Sequence, residues 1–205
     1  FREALIHAIH NCVPGAEIHE ADSLATLYEV VEAHPDADLL FLDLHMPGVS
    51  GFSALAYMRN NHESLPTVIV SAVDDPAVIR RAIQHGASGF IPKSSPIRTI
   101  EAAIDAILQG EVWLPDNIDL GAEGLDSEEA RIATAMSALT PHQFRVLMML
   151  GEGLLNKQIA YQLGVSEATI KAHVTAILRK MQVTNRTQAV LAVQQLNTKE
   201  PGLIE

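Results

Sequence analysis

The sequence predicts a doubly wound α/β domain with a parallel sheet, followed by a small all-α domain built on a helix-turn-helix. Three observations predict it. Residues 1–114 alternate helical apolar stripes with short β-branched runs, the pattern of strands joined by crossover helices. Near the other end, Gly164-Val165-Ser166 interrupts two helical patterns. The second of those helices carries Lys171, His173, Arg179 and Lys180, a basic face of the kind that enters a DNA major groove.

Each element has its own reason. Arg2–Asn11 is amphipathic through Leu5, Ile6 and Ile9. Ala16–Ala21 reads as a short extended segment between Pro14-Gly15 and Asp22-Ser23. Ser23–His34 is helical, with Leu24, Leu27, Val30 and Val31 as its stripe. Asp38–Leu42 (DLLFL) is an apolar run of the sort buried on both faces of a parallel sheet. Phe52–Asn60 is a helix, and Thr67–Ser71 (TVIVS) is β-branched and strand-like. Pro76–His85 is a helix with proline in its first turn. Ser88–Ile91 is a strand, and Pro96–Gln109 is an amphipathic helix ending at Gly110. Pro92 removes a ladder donor, which proline does only at sheet edges and bulges.

In the second domain, helix Lys157–Leu163 must stop sharply. Gly164 takes the left-handed conformation there without a Cβ penalty. Ser166 is an N-cap, with Glu167 in the first turn favouring the helix dipole. Ile159, Ala160, Leu163, Val165, Ile170, Val174, Ile177 and Leu178 recur at helical spacing and form the expected core, with Val165 packed between the helices. Between the domains, Pro115–Met136 reads as an acidic linker with six acidic residues against Arg131. Its part Asp126–Ser137 also reads as a helix, with Ile132, Ala135 and Met136 on one side. Its acidic residues are expected to lie against Lys171 and Arg179 before activation.

Length and composition agree with two domains. The chain has 205 residues, 48% of them hydrophobic, enough for two cores. The net charge of −11 divides unevenly. Residues 1–136 hold seven Lys or Arg against twenty-one Asp or Glu, whereas residues 137–205 hold seven against four. Such asymmetry points to different partners for the halves, and the basic half suits phosphate contacts with DNA. One cysteine, Cys12, and no long apolar run fit a cytoplasmic protein. Nine histidines lack metal spacing, so no histidine-based metal site is expected. Trp113 and Leu114 are expected to pack a helix end.

In a doubly wound sheet, chemistry gathers at the carboxyl ends of the strands. Asp43, Ser71 and Lys93 fall there. A carboxylate, a hydroxyl and an ammonium suit phosphoryl transfer: Asp43 as the nucleophile, Ser71 as a donor to a phosphoryl oxygen, Lys93 as the counter-charge. Three ordinary polar loop residues at strand ends fit the pattern equally well.

Two resemblances bear on that choice. LTPHQFRVL, GLLNKQIAYQLGVSEATIKAHVTAILRKM and NRTQAV together resemble the LuxR-type helix-turn-helix. The resemblance implies base contacts from Lys171, Ala172 and Thr175, and backbone contacts from Asn156, Lys157, Thr169, Lys180, Asn185 and Arg186. LLFLDLHMPGVSGFSAL resembles the phosphorylation loop of a flavodoxin-like receiver domain, with Asp43 the acceptor and Met46-Pro47 and Gly51 in its turn. VIVSAVDD and GASGFIPKSS are similar to the strands that end in the switch residues Ser71 and Phe90 and in Lys93. The join of the two resembles the NarL/FixJ type of response regulator: receiver 1–114, linker 115–136, DNA-binding domain 137–205.

One departure stands out. The family's first strand and the acidic pair at its end are absent, since Phe1-Arg2-Glu3-Ala4-Leu5 resembles the start of the first helix. That pair holds Mg²⁺ beside the aspartate in the family, so Asp43 is here the one expected metal ligand. The N-terminus is therefore read as truncated, disordered or unrecorded. The missing strand would lie next to the Asp43 strand in the order 2-1-3-4-5, where its loss leaves backbone groups unpaired.

The resemblance implies a transcription regulator of a two-component system. A histidine kinase phosphorylates Asp43, Ser71 and Phe90 reposition, the face formed by Pro76–His85 and the next strand changes, and dimers bind paired half-sites in DNA. RNA polymerase is a further implied partner. Two alternatives stay open: a DNA-binding regulator whose degenerate receiver is an interaction module, and a phosphohydrolase with Asp43 as nucleophile. The latter needs an acid two residues on, where His45 stands.

Overall fold

A computed structural model describes residues 1–46, 52–116, 118 and 127–198. Pro47, Gly51 and the linker glycines Gly121 and Gly124 lie outside those residues. Helices α1 (Arg2–Cys12), α2 (Leu24–Ala33), α3 (Ser53–Asn61), α4 (Pro76–Gln84) and α5 (Ile97–Leu108) alternate with strands β1 (Leu40–Asp43), β2 (Thr67–Ser71) and β3 (Gly89–Pro92). Five more helices follow: α6 (Ser127–Ser137), α7 (Pro141–Gly151), α8 (Asn156–Leu163), α9 (Glu167–Lys180) and α10 (Arg186–Thr198).

The strands pair in parallel in the order β1-β2-β3. β2 is buried along its length, as its continuous β-branched run requires. One face packs α1 and α5 through Leu5, Ala8, Ile100, Ile104 and Ile107. Gly89 permits close approach at the far edge: a Cβ there would stand 2.9 Å from Ile107 Cδ1 and 3.2 Å from the Trp113 carbonyl oxygen. Trp113 pairs its backbone with β3, its N–H donating to Ser88 and its carbonyl accepting from Phe90. The expected helix-end packing is thus joined by an edge-covering role. Pro92 sits at the last position of β3.

Ala16–Ala21, which the sequence reads as extended, pairs with no strand. An extended segment becomes a strand only by pairing, and these residues line a groove of about 720 Å³ with α1, α2 and β1 instead of meeting β1. β1 is consequently an edge of the three-stranded sheet, with its free side toward that groove.

Helix starts follow local chemistry. Ser23 and Thr26 form a capping box on α2, and Thr140 and Gln143 form one on α7. Asp75 caps Ala77 N–H at 2.7 Å ahead of Pro76. No helix among the described residues is long and apolar enough to cross a membrane.

The two halves share one core. Phe144 of α7 meets Tyr57 of α3 at a ring-centroid distance of 4.4 Å and Tyr28 of α2 at 5.8 Å. Burial pushes the Tyr57 hydroxyl pKa up to about 12 and the Tyr28 hydroxyl higher still. Met148 Sδ accepts from Ser53 Oγ at 3.8 Å. α6 lies against α3 and α10. Its Ile132 and Met136 are buried as the stripe predicts.

A polar cluster crosses the same boundary. Glu129 Oε1 accepts from Arg81 Nε at 2.5 Å and lies 2.7 Å from His85 Nε2. Burial holds the His85 pKa below its usual value, and Arg81 adds to that, while the bond to Glu129 and its charge oppose it. A histidine kept neutral by folding lets the unfolded chain take up the proton first. Stability is therefore full above about pH 6.5 and falls as pH drops toward the lowered folded value. Thermal unfolding at about pH 7.5 and about pH 5.5 should show a larger loss for the native chain than for His85→Gln. An equal loss in both would contradict a buried neutral His85.

Candidate functional site

Register brings the strand ends together. Asp43 lies opposite Val70, and Ser71 opposite Pro92, with Lys93 next in the chain. Asp43 Oδ2 pairs with Lys93 Nζ at 2.5 Å, the side chains 22% and 29% exposed. Asp43 Oδ1 accepts the His45 backbone N–H at 3.0 Å. His45 itself is exposed, as a loop residue should be. Ser71 is fully buried; its Oγ accepts the Val73 N–H at 3.1 Å and its carbonyl accepts the Lys93 N–H at 2.7 Å. Phe90 points into the core and is fully buried.

This edge therefore holds a half-exposed carboxylate with its counter-charge in place and a hydroxyl one strand away. A carboxylate so placed can attack an electrophilic phosphorus, and the ammonium offsets the charge that arrives. For a metal ion the fit is poor. Asp43 supplies one carboxylate already engaged by Lys93, and no group of three His, Cys, Asp or Glu side chains among the described residues is placed to hold a metal.

The second candidate surface is the helix-turn-helix. Gly164 ends α8 at φ 66°, and the Val165 N–H returns to the Ala160 carbonyl. That reversal leaves the Val165 side chain at the rim of the turn, 42% exposed, so it does not pack between the helices as expected. Ser166 Oγ caps the Thr169 N–H at 3.1 Å. Ile159, Ala160, Ile170 and Ile177 are buried beneath the turn.

Lys171, Ala172 and Thr175 share an exposed face of α9. Lys171 pairs with Glu167 of its own helix at 3.0 Å, and Thr175 Oγ1 donates to the Lys171 carbonyl. Lys157 and Thr169 are exposed and Asn156 is half-buried. The other three expected backbone contacts have work inside the domain. Lys180 donates to the Ala138 carbonyl and Gln143 Oε1, each at 2.8 Å. Arg186 donates to the Leu154 carbonyl at 2.7 Å, and Asn185 Oδ1 accepts the Gln188 N–H at the start of α10.

The acidic linker does not meet the reading helix through its described helical part. Glu128 pairs with Arg131, and Glu129 with Arg81 and His85. These partners were missed because charged residues on amphipathic helices usually face water. A signal was present: Arg81 stands three residues after Val78, and Glu129 three before Ile132, each on its helix's apolar stripe.

Comparison with known proteins matches residues 1–105 to the response regulator receiver domain and residues 137–193 to the bacterial regulatory proteins of the luxR family. The chain is 44% identical to the glycerol metabolism activator of Pseudomonas putida over 94% of its own length and 89% of the relative's. It is 31% identical to the nitrate/nitrite response regulator protein NarL of Escherichia coli K12, over 78% of this chain and 74% of that one. A solved structure of two RcsB dimers bound to two parallel DNAs shares the fold, with a TM-score of 0.52 at 19% identity over 94% of this chain and 92% of that one.

The turn geometry gives a paired test. Nothing lies within 4 Å of a Cβ at either Gly164 or Gly151, but only Gly164 has a positive φ. Gly164→Ala should cost about 1 kcal/mol, while Gly151→Ala in α7 should be neutral or slightly stabilising. Denaturant titration reads both, and an unchanged midpoint for Gly164→Ala would contradict the left-handed turn.

Proposed function

The chain belongs to the response regulators that join a receiver domain to a LuxR-family DNA-binding domain, and from that membership we propose that Asp43 accepts phosphate and α9 reads DNA. The observation that carries the proposal is the edge where Asp43, Lys93 and Ser71 converge, in one chain with the exposed Lys171, Ala172 and Thr175. In this reading the Asp43 carboxylate attacks the phosphorus of a histidine kinase's phosphohistidine, the P–N bond breaks, and an acyl phosphate forms. Lys93 stays beside the added charge. The Ser71 hydroxyl leaves the Val73 N–H to donate to a phosphoryl oxygen, and Phe90 repositions with it.

The domain division follows as receiver 1–114, linker 115–136 and DNA-binding domain 137–205. RcsB has been seen as dimers on DNA, and the same use is proposed here: paired copies on two half-sites about one helical turn apart. Lys157, Thr169 and Asn156 are the better-placed backbone contacts, because Lys180, Asn185 and Arg186 must first leave partners within the domain. Mg²⁺ is the expected cofactor of phosphorylation, and Asp43 alone does not complete a site for it.

With the family's first strand and its acidic pair supplied ahead of Phe1, acetyl phosphate should label the protein in a Mg²⁺-dependent way, and Asp43→Asn should abolish the label. Mass spectrometry placing the phosphoryl group elsewhere would overturn the acceptor, and no labelling at all would favour an interaction module. On DNA, Lys171→Ala should cost about 1–3 kcal/mol and relax base preference. Lys157→Ala should weaken binding evenly and flatten its salt dependence. Unchanged affinity and preference for Lys171→Ala in a gel-shift titration would rule out α9 as the reading helix.

A further inference from the structure

We propose that a cleft between the receiver and the helix-turn-helix is a binding site for a small organic oxyanion, a phosphate monoester or a carboxylate. The cleft holds about 270 Å³ and brings together Glu29 of α2, His142 and Arg145 of α7, Gln162 of α8 and His173 of α9. It is separate from the phosphate edge, since none of Asp43, Ser71 and Lys93 lines it. The inference stands independently of the phosphorylation and DNA readings above.

Four of those five side chains can donate to an anion, and their donors are largely unspent. His142 and Arg145 stand three residues apart on α7, so one face of that helix offers both. Arg145 is partly exposed and bonds through Nη2 alone, at 3.4 Å from Glu29 Oε1. Its Nε and Nη1 donate to nothing among the described residues. The side chains of His142, Gln162 and His173 likewise have no hydrogen-bond partner among those residues. A guanidinium offers a carboxylate or a phosphate two parallel N–H groups, and imidazole and amide N–H groups add further bonds around it. His142 also sits in the first turn of α7, where the helix dipole favours negative charge.

The remaining walls are apolar. Val165, which the turn after α8 pushes outward, lines the cleft together with Ile170 and Val146. The exposure of Val165, odd for a core residue, is that of a cleft wall. Such walls keep water from part of a bound anion and so strengthen the hydrogen bonds on its polar side. Glu29 is mostly exposed and limits how much negative charge the cleft accepts. The volume is at the small end for ligand clefts and suits a compound of roughly ten heavy atoms or fewer. Ile170 and His173 belong to α9, so an occupant touches the helix that also presents Lys171, Ala172 and Thr175.

Isothermal titration calorimetry of the full chain tests the site, at fixed ionic strength, with inorganic phosphate, phosphoglycolate and succinate as probes. Saturable one-to-one binding of an organic probe, tighter than that of inorganic phosphate, is the expected result. Arg145→Gln should weaken it about tenfold or more, and His173→Asn about threefold or more. Glu29→Gln, which removes the carboxylate lining the cleft, should tighten it about twofold. Melting curves check that each variant is folded. Phosphoglycolate ahead of succinate assigns the site to phosphate monoesters, and the reverse order assigns it to carboxylates. No saturable binding of any probe below about 10 mM overturns the site. Binding that Arg145→Gln and His173→Asn both leave unchanged lies elsewhere on the protein and overturns it as well. Displacement of the probe by duplex DNA of unrelated sequence would make the cleft a contact for the DNA backbone and overturn the small-molecule assignment.

Discussion

Parallel pairing of three short strands is the constraint on which the rest depends. With Leu40–Asp43, Thr67–Ser71 and Gly89–Pro92 in one register, the chain must leave the sheet three times along the same edge. A carboxylate, a hydroxyl and an ammonium, far apart in sequence, arrive there together. The same geometry sends the chain from Ser71 straight into α4, so the helix nearest the chemistry is also the helix that grips α6 and α10. Site and interface are two ends of one short segment.

The interface combines a strong apolar term with imperfect polar satisfaction. Phe144 against Tyr28 and Tyr57 removes three rings from water, a large contribution. Their hydroxyls and one arginine nitrogen lose solvent without a partner. An interface meant to be permanent would pair such groups or replace them by apolar ones. Leaving them unpaired costs free energy that the apolar packing around them offsets.

Much of this was legible in the sequence. Pro76, Gly164 with Ser166, and the runs DLLFL and TVIVS each carry a local physical cause, and each element appeared within a residue or two of its expected place. The convergence of Asp43, Ser71 and Lys93 followed from strand order alone. Where the reading failed, the cause was non-local. Ala16–Ala21 has extended character but no ladder partner. Val165 has a core-like side chain at a position the turn pushes outward. Lys180 and Arg186 satisfy carbonyls whose positions depend on the folded domain. Arg81 and Glu129 are matched across 48 residues of sequence, and neither helix betrays its partner.

The central claim is that Asp43, Ser71 and Lys93 act together as one phosphate-binding edge. Hydrogen exchange of the full chain, read by mass spectrometry before and after labelling with acetyl phosphate, tests it most directly. Faster exchange at the Val73 amide, whose partner Ser71 Oγ is drawn to the phosphoryl group, is the predicted result. Unchanged exchange there in a sample shown to carry the phosphoryl group on Asp43 would contradict it.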